Sequence, residues 1–251
     1  MRKKTLFQSI TLVASCWLGI SSLQAQRPSE KDIADLAVKH SDAMKANREV
    51  LKNYSNNYRV EVSKENQLQW IDLVNVQIGP DQNPILTQVN RDKMTPQEKG
   101  LFGRKGRKQQ EAAEEMDSII SYAMRWITYY NRLPADRVFT LFRQAARDGT
   151  FKTASSSTDI IGVWSTNVRD SNANDEVNIW FNRQNGHPVR TAFSLPVEKG
   201  LDGATGETIS AVINYRYLKN GAGFYPDTID VSIPSRQLKI RVEHLISKKK
   251  E

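Results

Sequence analysis

The chain has 251 residues, of which 36 are lysine or arginine, 28 are aspartate or glutamate and one is cysteine. A single cysteine excludes a disulfide within the chain, so a hydrophobic core has to hold the fold, and the length suffices for one large β-rich domain or two small ones. The net charge of +8 is mild, and its surplus lies in a loop and a C-terminal tail, which argues against a nucleic-acid-binding protein.

The N-terminus has the residue order of a secretory signal peptide. Three basic residues precede an apolar run from about Leu6 to Leu23, which serine and glutamine interrupt too often for a convincing membrane span. We expect cleavage after Ala25, so that residues 1–25 are removed and the mature protein reaches the periplasm or is secreted. It then has no cysteine, which excludes thiol catalysis and a cysteine-ligated metal. Alternatively, the pattern LVASC makes Cys16 an acylated N-terminus that anchors the protein to an envelope membrane.

The segment from Ser29 to Tyr54 predicts an amphipathic helix. Ser29 and Asp32 have the spacing of a capping box, and apolar residues follow at roughly helical intervals. His40 falls within a partly polar stripe of this helix. A packed or half-exposed histidine is expected there rather than a lone metal ligand.

After this helix the hydrophobic period changes to two. Residues 58–63 alternate between apolar and polar, and a turn at KEN leads into a second strand, which ends at Ile78. Asp72 interrupts the apolar row of that strand, which predicts either a nearby β-bulge or an open, hydrated part of the face. The strand PILTQV follows a Gly-Pro-Asp turn.

A glycine-rich basic loop comes next, and its centre, Gly103 to Lys108, reads GRKGRK. The glycines lack the spacing and the strand-to-helix context of a phosphate-binding loop. The basic side chains are expected either to be solvated or to touch anionic lipid, which would be a peripheral membrane contact.

Two helices are predicted between Glu111 and Arg147. Each has one apolar stripe, and Gly149 is expected to end the second helix. Burying each large apolar side chain is worth about 1.5 to 3 kcal/mol, so this pair has to cover a large apolar surface. We expect that surface to be the concave face of the sheet.

The chain after Ser157 contains six further strands. Most breaks between them carry turn residues, including Asn185-Gly186, and each strand alternates between an apolar and a mixed row. With the first three strands this makes about nine in an antiparallel meander. Trp70, Trp164 and Trp180 lie on strands, where aromatic residues more often belong to the core than to a ligand platform.

Signatures of catalysis are absent from the sequence. It lacks the G-x-S-x-G, H-E-x-x-H and G-x-G-x-x-G motifs, and His40, His187 and His244 fall in a helix, a turn and the last strand. We therefore expect no enzyme, no cofactor and no metal.

The element order, with the segments VQIGPDQNPILTQV and DTIDVSIPSRQLKIRVEH, resembles the LolA/LolB-like superfamily of periplasmic lipoprotein carriers over about Ser29 to Ile246. The resemblance implies an α+β fold in which a curved antiparallel sheet, an incomplete β-barrel of about nine strands, has its concave face covered by an N-terminal helix and a helical pair. It implies one domain, residues 26–247, with a helical lid insert at about 95–149 and a basic tail at 248–251. The concave face of such proteins accommodates acyl chains or an acylated partner.

The sequence thus favours a non-enzymatic envelope protein that binds a lipid, an acyl chain or an acylated protein in a groove between sheet and helices. The alternative is a periplasmic protein-interaction or stress-sensor module with the same fold and no carried ligand. Equally, the groove candidates can simply form the core between sheet and helices. The candidates on the sheet are Val60, Trp70, Val163, Phe181, Phe193 and Tyr215, and those on the lid are Met124 and Phe142.

Overall fold

The structure is a computed structural model that describes residues 29–80, 84–93, 118, 121–154, 157–169, 174–196, 207–219, 221 and 223–250. The predicted signal peptide, Cys16 and the basic loop Gly103 to Lys108 lie outside the described residues, as does most of the predicted start of the first helix of the pair, residues 111–120.

Three helices are described. Helix α1 (Glu30–Leu51) begins at the predicted capping box, where the Asp32 backbone N–H donates to Ser29 Oγ at 3.2 Å and the Ser29 N–H donates to Asp32 Oδ2 at 3.0 Å. Helix α2 covers residues 121–130, and α3 (Ala135–Asp148) follows it directly. As predicted, α3 ends at Gly149, whose φ of 69° lies in the left-handed region that glycine adopts without strain.

All strands belong to one open sheet in which each neighbouring pair is antiparallel, in the order β3-β2-β1-β10-β9-β8-β7-β6-β5-β4. In the described part of the chain β3 and β4 are its two ends, so the curved sheet is an incomplete barrel. The fold prediction is confirmed, and the three-residue β4 is added to the nine predicted strands. The strands are β1 (Tyr54–Lys64), β2 (Gln67–Ile78), β3 (Pro84–Lys93), β4 (Lys152–Ala154), β5 (Ser157–Thr166), β6 (Glu176–Asn182), β7 (Pro188–Pro196), β8 (Thr208–Tyr217), β9 (Phe224–Ile233) and β10 (Leu238–Lys249).

One face of this sheet, which we call the inner face, carries the core. Because side chains alternate along each strand, a row of directly paired residues crosses six strands on the same face. Every member of the row is buried, and all belong to one hydrophobic core with side chains of the three helices. Helix α3 packs against α1 and β5. The row is Val62, Ile240, Val231, Ala211, Phe193 and Val177.

Strand β10 runs to Lys249, so two lysines of the predicted basic tail lie within the strand. Lys248 and Lys249 pair with Ser55 and Tyr54 of β1.

Asp72 lies on the inner face, but not in an open, hydrated part of it. Its side chain is buried, and both carboxylate oxygens accept hydrogen bonds from the Arg91 guanidinium, at 2.8 and 2.9 Å. A register shift does occur nearby, between Leu73 and Val74 in the pairing with β3. An ion pair with the neighbouring strand therefore explains how a carboxylate occupies the apolar row.

Candidate functional site

The eight predicted groove and lid residues belong to one hydrophobic core or pack against it. Val163, Phe181, Phe193 and Phe142 belong to the buried core. The other four are partly buried and pack against the same core; they are Val60, Trp70, Tyr215 and Met124. The six sheet candidates thus lie on the inner face and the two helical candidates pack over it, while their role in lining a ligand stays a prediction.

His40 of α1 lies within an aromatic layer between helices and sheet. Its ring centroid is 6.1 Å from that of Phe142 and 5.5 Å from that of Phe181, and these two phenylalanines stack at 5.1 Å. Burial lowers the pKa of His40 to about 4, so the ring is neutral at pH 7. Nδ1 lies 2.7 Å from the Gly186 carbonyl oxygen and donates its proton to it. This histidine is a packed residue, as the sequence predicted.

The β6–β7 turn fits closely against α1 at this point. Gly186 has a φ of 73°, and a Cβ atom there would lie 2.4 Å from the Lys39 carbonyl oxygen. Only glycine allows the turn to approach the helix this closely. The predicted Asn185-Gly186 turn therefore also positions the partner of His40.

Two polar contacts join the C-terminal end of α2 to the sheet. The Tyr130 ring stacks on Phe193 at 4.4 Å, and its hydroxyl donates to the Asp175 carboxylate. The Tyr215 hydroxyl donates to Oδ1 of Asn131, just after α2, at 2.6 Å. Burial raises the pKa of both tyrosines, so both hydroxyls keep their protons.

The space beside these contacts is nearly filled. A cavity of about 10 Å³ remains there, which is room for about one water molecule. This cavity is too small for an acyl chain. The residues around the cavity include His40, Met44, Tyr130, Asn131, Thr191 and Tyr215.

Sequence reasoning missed a buried charged cluster beside α2. Asp175 is fully buried, and its Oδ2 lies 3.8 Å from Nε of Arg169, whose guanidinium stacks 4.3 Å above the Trp126 ring. Oδ1 of Asp175 has no hydrogen-bond partner among the described residues. No local pattern indicates this cluster, because its members come from α2 and from the chain between β5 and β6.

The inner face continues beyond the closed core toward β3. Val60, Trp70 and Val76 are only partly buried there, and the Arg91 guanidinium lies 5.2 Å from the Trp70 ring centre. Leu86, which pairs with Val76, has 49% of its surface exposed. Among the described residues, the apolar face is therefore closed over β5 to β9, and it is only partly covered at Val60 of β1 and along β2 and β3.

A serine and a histidine also meet on β10, but their geometry does not suit catalysis. His244 Nε2 lies 2.9 Å from Ser247 Oγ, and the serine hydroxyl donates to Asn56 Oδ1 at 2.6 Å. The hydroxyl proton is directed to Asn56, so the serine accepts a hydrogen bond from His244 instead of giving it a proton. This arrangement is the reverse of a nucleophile and its base.

Within the described ranges, no group of three histidine, cysteine, aspartate or glutamate side chains is placed to hold a metal ion. The helices of that same part of the chain include none that is long and apolar enough to cross a membrane.

No family model matches the chain. A search of curated proteins also finds no match. Solved structures with a similar fold include a LolA superfamily protein from Nitrosomonas europaea, with 10% identity, a TM-score of 0.34 and coverage of 84% of this chain and 93% of that one. A DUF1329 family protein from Desulfovibrio piger has 7% identity, a TM-score of 0.38 and coverage of 87% and 92%.

A third structure, from Vibrio parahaemolyticus, is provisionally described as an outer membrane lipoprotein-sorting protein domain. It has 8% identity, a TM-score of 0.33 and coverage of 85% of this chain and 93% of that one. Identities and TM-scores this low leave the functional argument to the residues of this chain.

Proposed function

We propose that the chain is an exported, non-enzymatic envelope protein that binds a lipid, an acyl chain or an acylated protein against its inner face. One observation carries the proposal: among the described residues, the apolar inner face continues to an end where Val60, Trp70 and Val76 are only partly buried. An acyl chain laid on this end would bury methylene groups at about 0.8 kcal/mol each.

Deeper binding requires α2 and α3 to move away from the sheet. The contacts that resist this movement include the hydrogen bonds from Tyr215 to Asn131 and from Tyr130 to Asp175, together with the stacking of Phe142 on Phe181. A ligand that reaches under the helices replaces apolar contacts of the core with its own. The pair then acts as a lid.

Titration of the purified full chain with a dansyl-labelled fatty acid tests this proposal. The parent protein should bind the probe saturably, and Trp70→Ala should weaken binding by roughly fivefold or more because a large aromatic contact is lost. Ile71→Ala is the matched control, since Ile71 is the next residue on the opposite face. Failure of the probe to bind, or equal binding by both variants, would contradict the proposal.

The alternative, a protein-interaction or stress-sensor module with no carried ligand, is favoured by the apolar surface of β3. This strand is at one end of the described sheet and exposes Ile85, Leu86 and Val89. An end strand can pair with a strand of another protein. A photo-crosslinker at Val89, but not at Glu61, should then trap a protein partner in the envelope while the fatty-acid probe fails to bind.

A further inference from the structure

The outer face of the sheet carries a groove of about 350 Å³ that is separate from the inner face. Strand alternation places its residues there, because Val163 and Ile179, the neighbours of its members along β5 and β6, point into the core. A volume of this size is within the range of small-molecule sites. We call it the two-tryptophan groove, and it is lined by Thr150, Lys152, Gly162, Trp164, Asn178 and Trp180.

The two indole rings form the apolar part of this groove. Trp180 lies directly on the backbone of Gly162, where a Cβ atom would come within 2.8 Å of the ring. A side chain at position 162 would displace the indole, so this glycine keeps the ring flat against the sheet. Trp164 has 39% of its surface exposed, which is unusual for a residue of this size on a strand. The core role that the sequence predicts for these two tryptophans does not apply to Trp164.

The polar part of the groove contains an unsatisfied acceptor. Asn178 is the strand partner of Trp164, and its Oδ1 is buried without a hydrogen-bond partner among the described residues. Buried side-chain oxygens normally have a partner. Lys152 and Thr150 add an ammonium and a hydroxyl at the β4 side, and the Thr150 hydroxyl donates to the Trp164 carbonyl at 2.5 Å.

Two indole rings beside polar side chains suit a ligand with an amphipathic ring. A pyranose has C–H groups on its faces, which pack on an indole, and hydroxyl groups at its rim, which can bond to the Asn178 amide and accept from Lys152. An acyl chain has no polar group along its length to bond to these side chains. None of the described residues that line the groove is a carboxylate, whereas Lys152 suits a neutral or anionic ligand.

We propose that the two-tryptophan groove is a saccharide-binding site, in which sugar rings stack on Trp164 and Trp180 and sugar hydroxyls bond to the side chains of Asn178 and Lys152. The site is on the face opposite to the inner face. Its occupation therefore needs no movement of the helices and does not depend on the proposed lipid binding.

The full chain should be titrated with cellotetraose, maltotetraose and tetra-N-acetylchitotetraose, with binding followed by tryptophan fluorescence and calorimetry. At least one of these should bind saturably at millimolar concentration or below. Trp164→Ala should weaken that binding by roughly fivefold or more, the effect of losing one good aromatic contact. Asn178→Leu, which removes the acceptor, should weaken it as well, and circular dichroism checks that both variants fold.

Tyr217→Ala is the control, because Tyr217 is another exposed aromatic residue on a strand outside the groove. Phosphatidylcholine vesicles with and without a glycolipid identify the source of the sugar: dependence on the glycolipid indicates a lipid-linked saccharide, and binding of the free oligosaccharides alone indicates a soluble one. The proposal is overturned if no saccharide probe binds, or if Trp164→Ala and Asn178→Leu bind as the parent does.

Discussion

His40 links the stability of the protein to pH through a single buried ring. Burial lowers its pKa from 6.5 to about 4, whereas the unfolded chain titrates near the ordinary value. Between these two values the unfolded state binds more protons than the folded state. The stability that the neutral ring contributes is therefore complete above about pH 6.5 and is lost as the pH falls toward 4.

We expect His40 to lower the free energy of unfolding by about 3 kcal/mol between pH 7 and pH 4. Urea unfolding of the parent and of His40→Gln between pH 7 and pH 4 measures this change in the free energy of unfolding. Glutamine is chosen because it keeps a donor for the Gly186 carbonyl but does not titrate. Burial also lowers the pKa of His187 and His244, so the difference between the two proteins is the relevant quantity. Parallel pH profiles would show that His40 is not responsible.

Removing only Arg91 from its ion pair with Asp72 should lower the free energy of unfolding more than removing both residues. Arg91→Leu leaves a buried carboxylate with only Gln88, at 3.2 Å, as its side-chain partner among the described hydrogen bonds, and we expect a loss of about 2 to 3 kcal/mol in unfolding free energy. The double variant Asp72→Leu, Arg91→Leu should recover most of this loss, because it removes the buried charge. Urea denaturation of both proteins checks the prediction, and an equally unstable double variant would contradict it.

At the scale of elements, Tyr215 tests whether α2 and α3 open as a unit. Tyr215→Phe removes the hydrogen bond to Asn131 and keeps the ring, which should cost about 1 kcal/mol and raise the open population about fivefold. Hydrogen exchange of α2 should quicken and binding of an apolar dye should rise. The control is Tyr217→Phe, whose hydroxyl meets His187 rather than a helix. If the amide hydrogens of α2 exchange only when the whole protein unfolds, the helices are part of the core and do not open as a lid.

Phe142 and Met124 were expected to have the same role on the lid, but their environments differ. Phe142 is fully buried and stacked on Phe181, so Phe142→Ala should lower the free energy of unfolding by about 3 to 5 kcal/mol. Met124 is only partly buried, and Met124→Asp should raise dye binding while the sheet stays folded. Thermal unfolding with dye titration distinguishes the two effects. If Met124→Asp unfolds the whole protein, Met124 is part of the core as well.

For the whole molecule, the features that could be predicted from the sequence are those that depend on neighbouring residues. Alternation along the strands, turn residues such as Asn185-Gly186, the cap at Ser29 and the stop at Gly149 depend on residues a few positions apart, and each is found as expected. The short β4 escaped prediction because three residues carry no period. The alternation that places Val163 inside also implies that Trp164 faces outward, so the outer groove had a signal in the sequence.

Features that depend on distant partners were not predictable in the same way. The sequence shows Asp72 as an interruption, but its pairing with Arg91 needs the register between β2 and β3. Likewise, the contact between Tyr130 and Asp175 joins residues 45 positions apart. Whether the inner face is open or filled depends on how closely the helices approach the sheet, which no periodicity specifies.

Native mass spectrometry of the protein purified from its own envelope tests whether the inner face binds an acyl-bearing ligand. We expect a bound species whose mass matches a lipid or an acylated protein, and a lower occupancy in Trp70→Ala than in Ile71→Ala. The contrary result is a protein recovered at its polypeptide mass alone that also fails to take up added fatty acid.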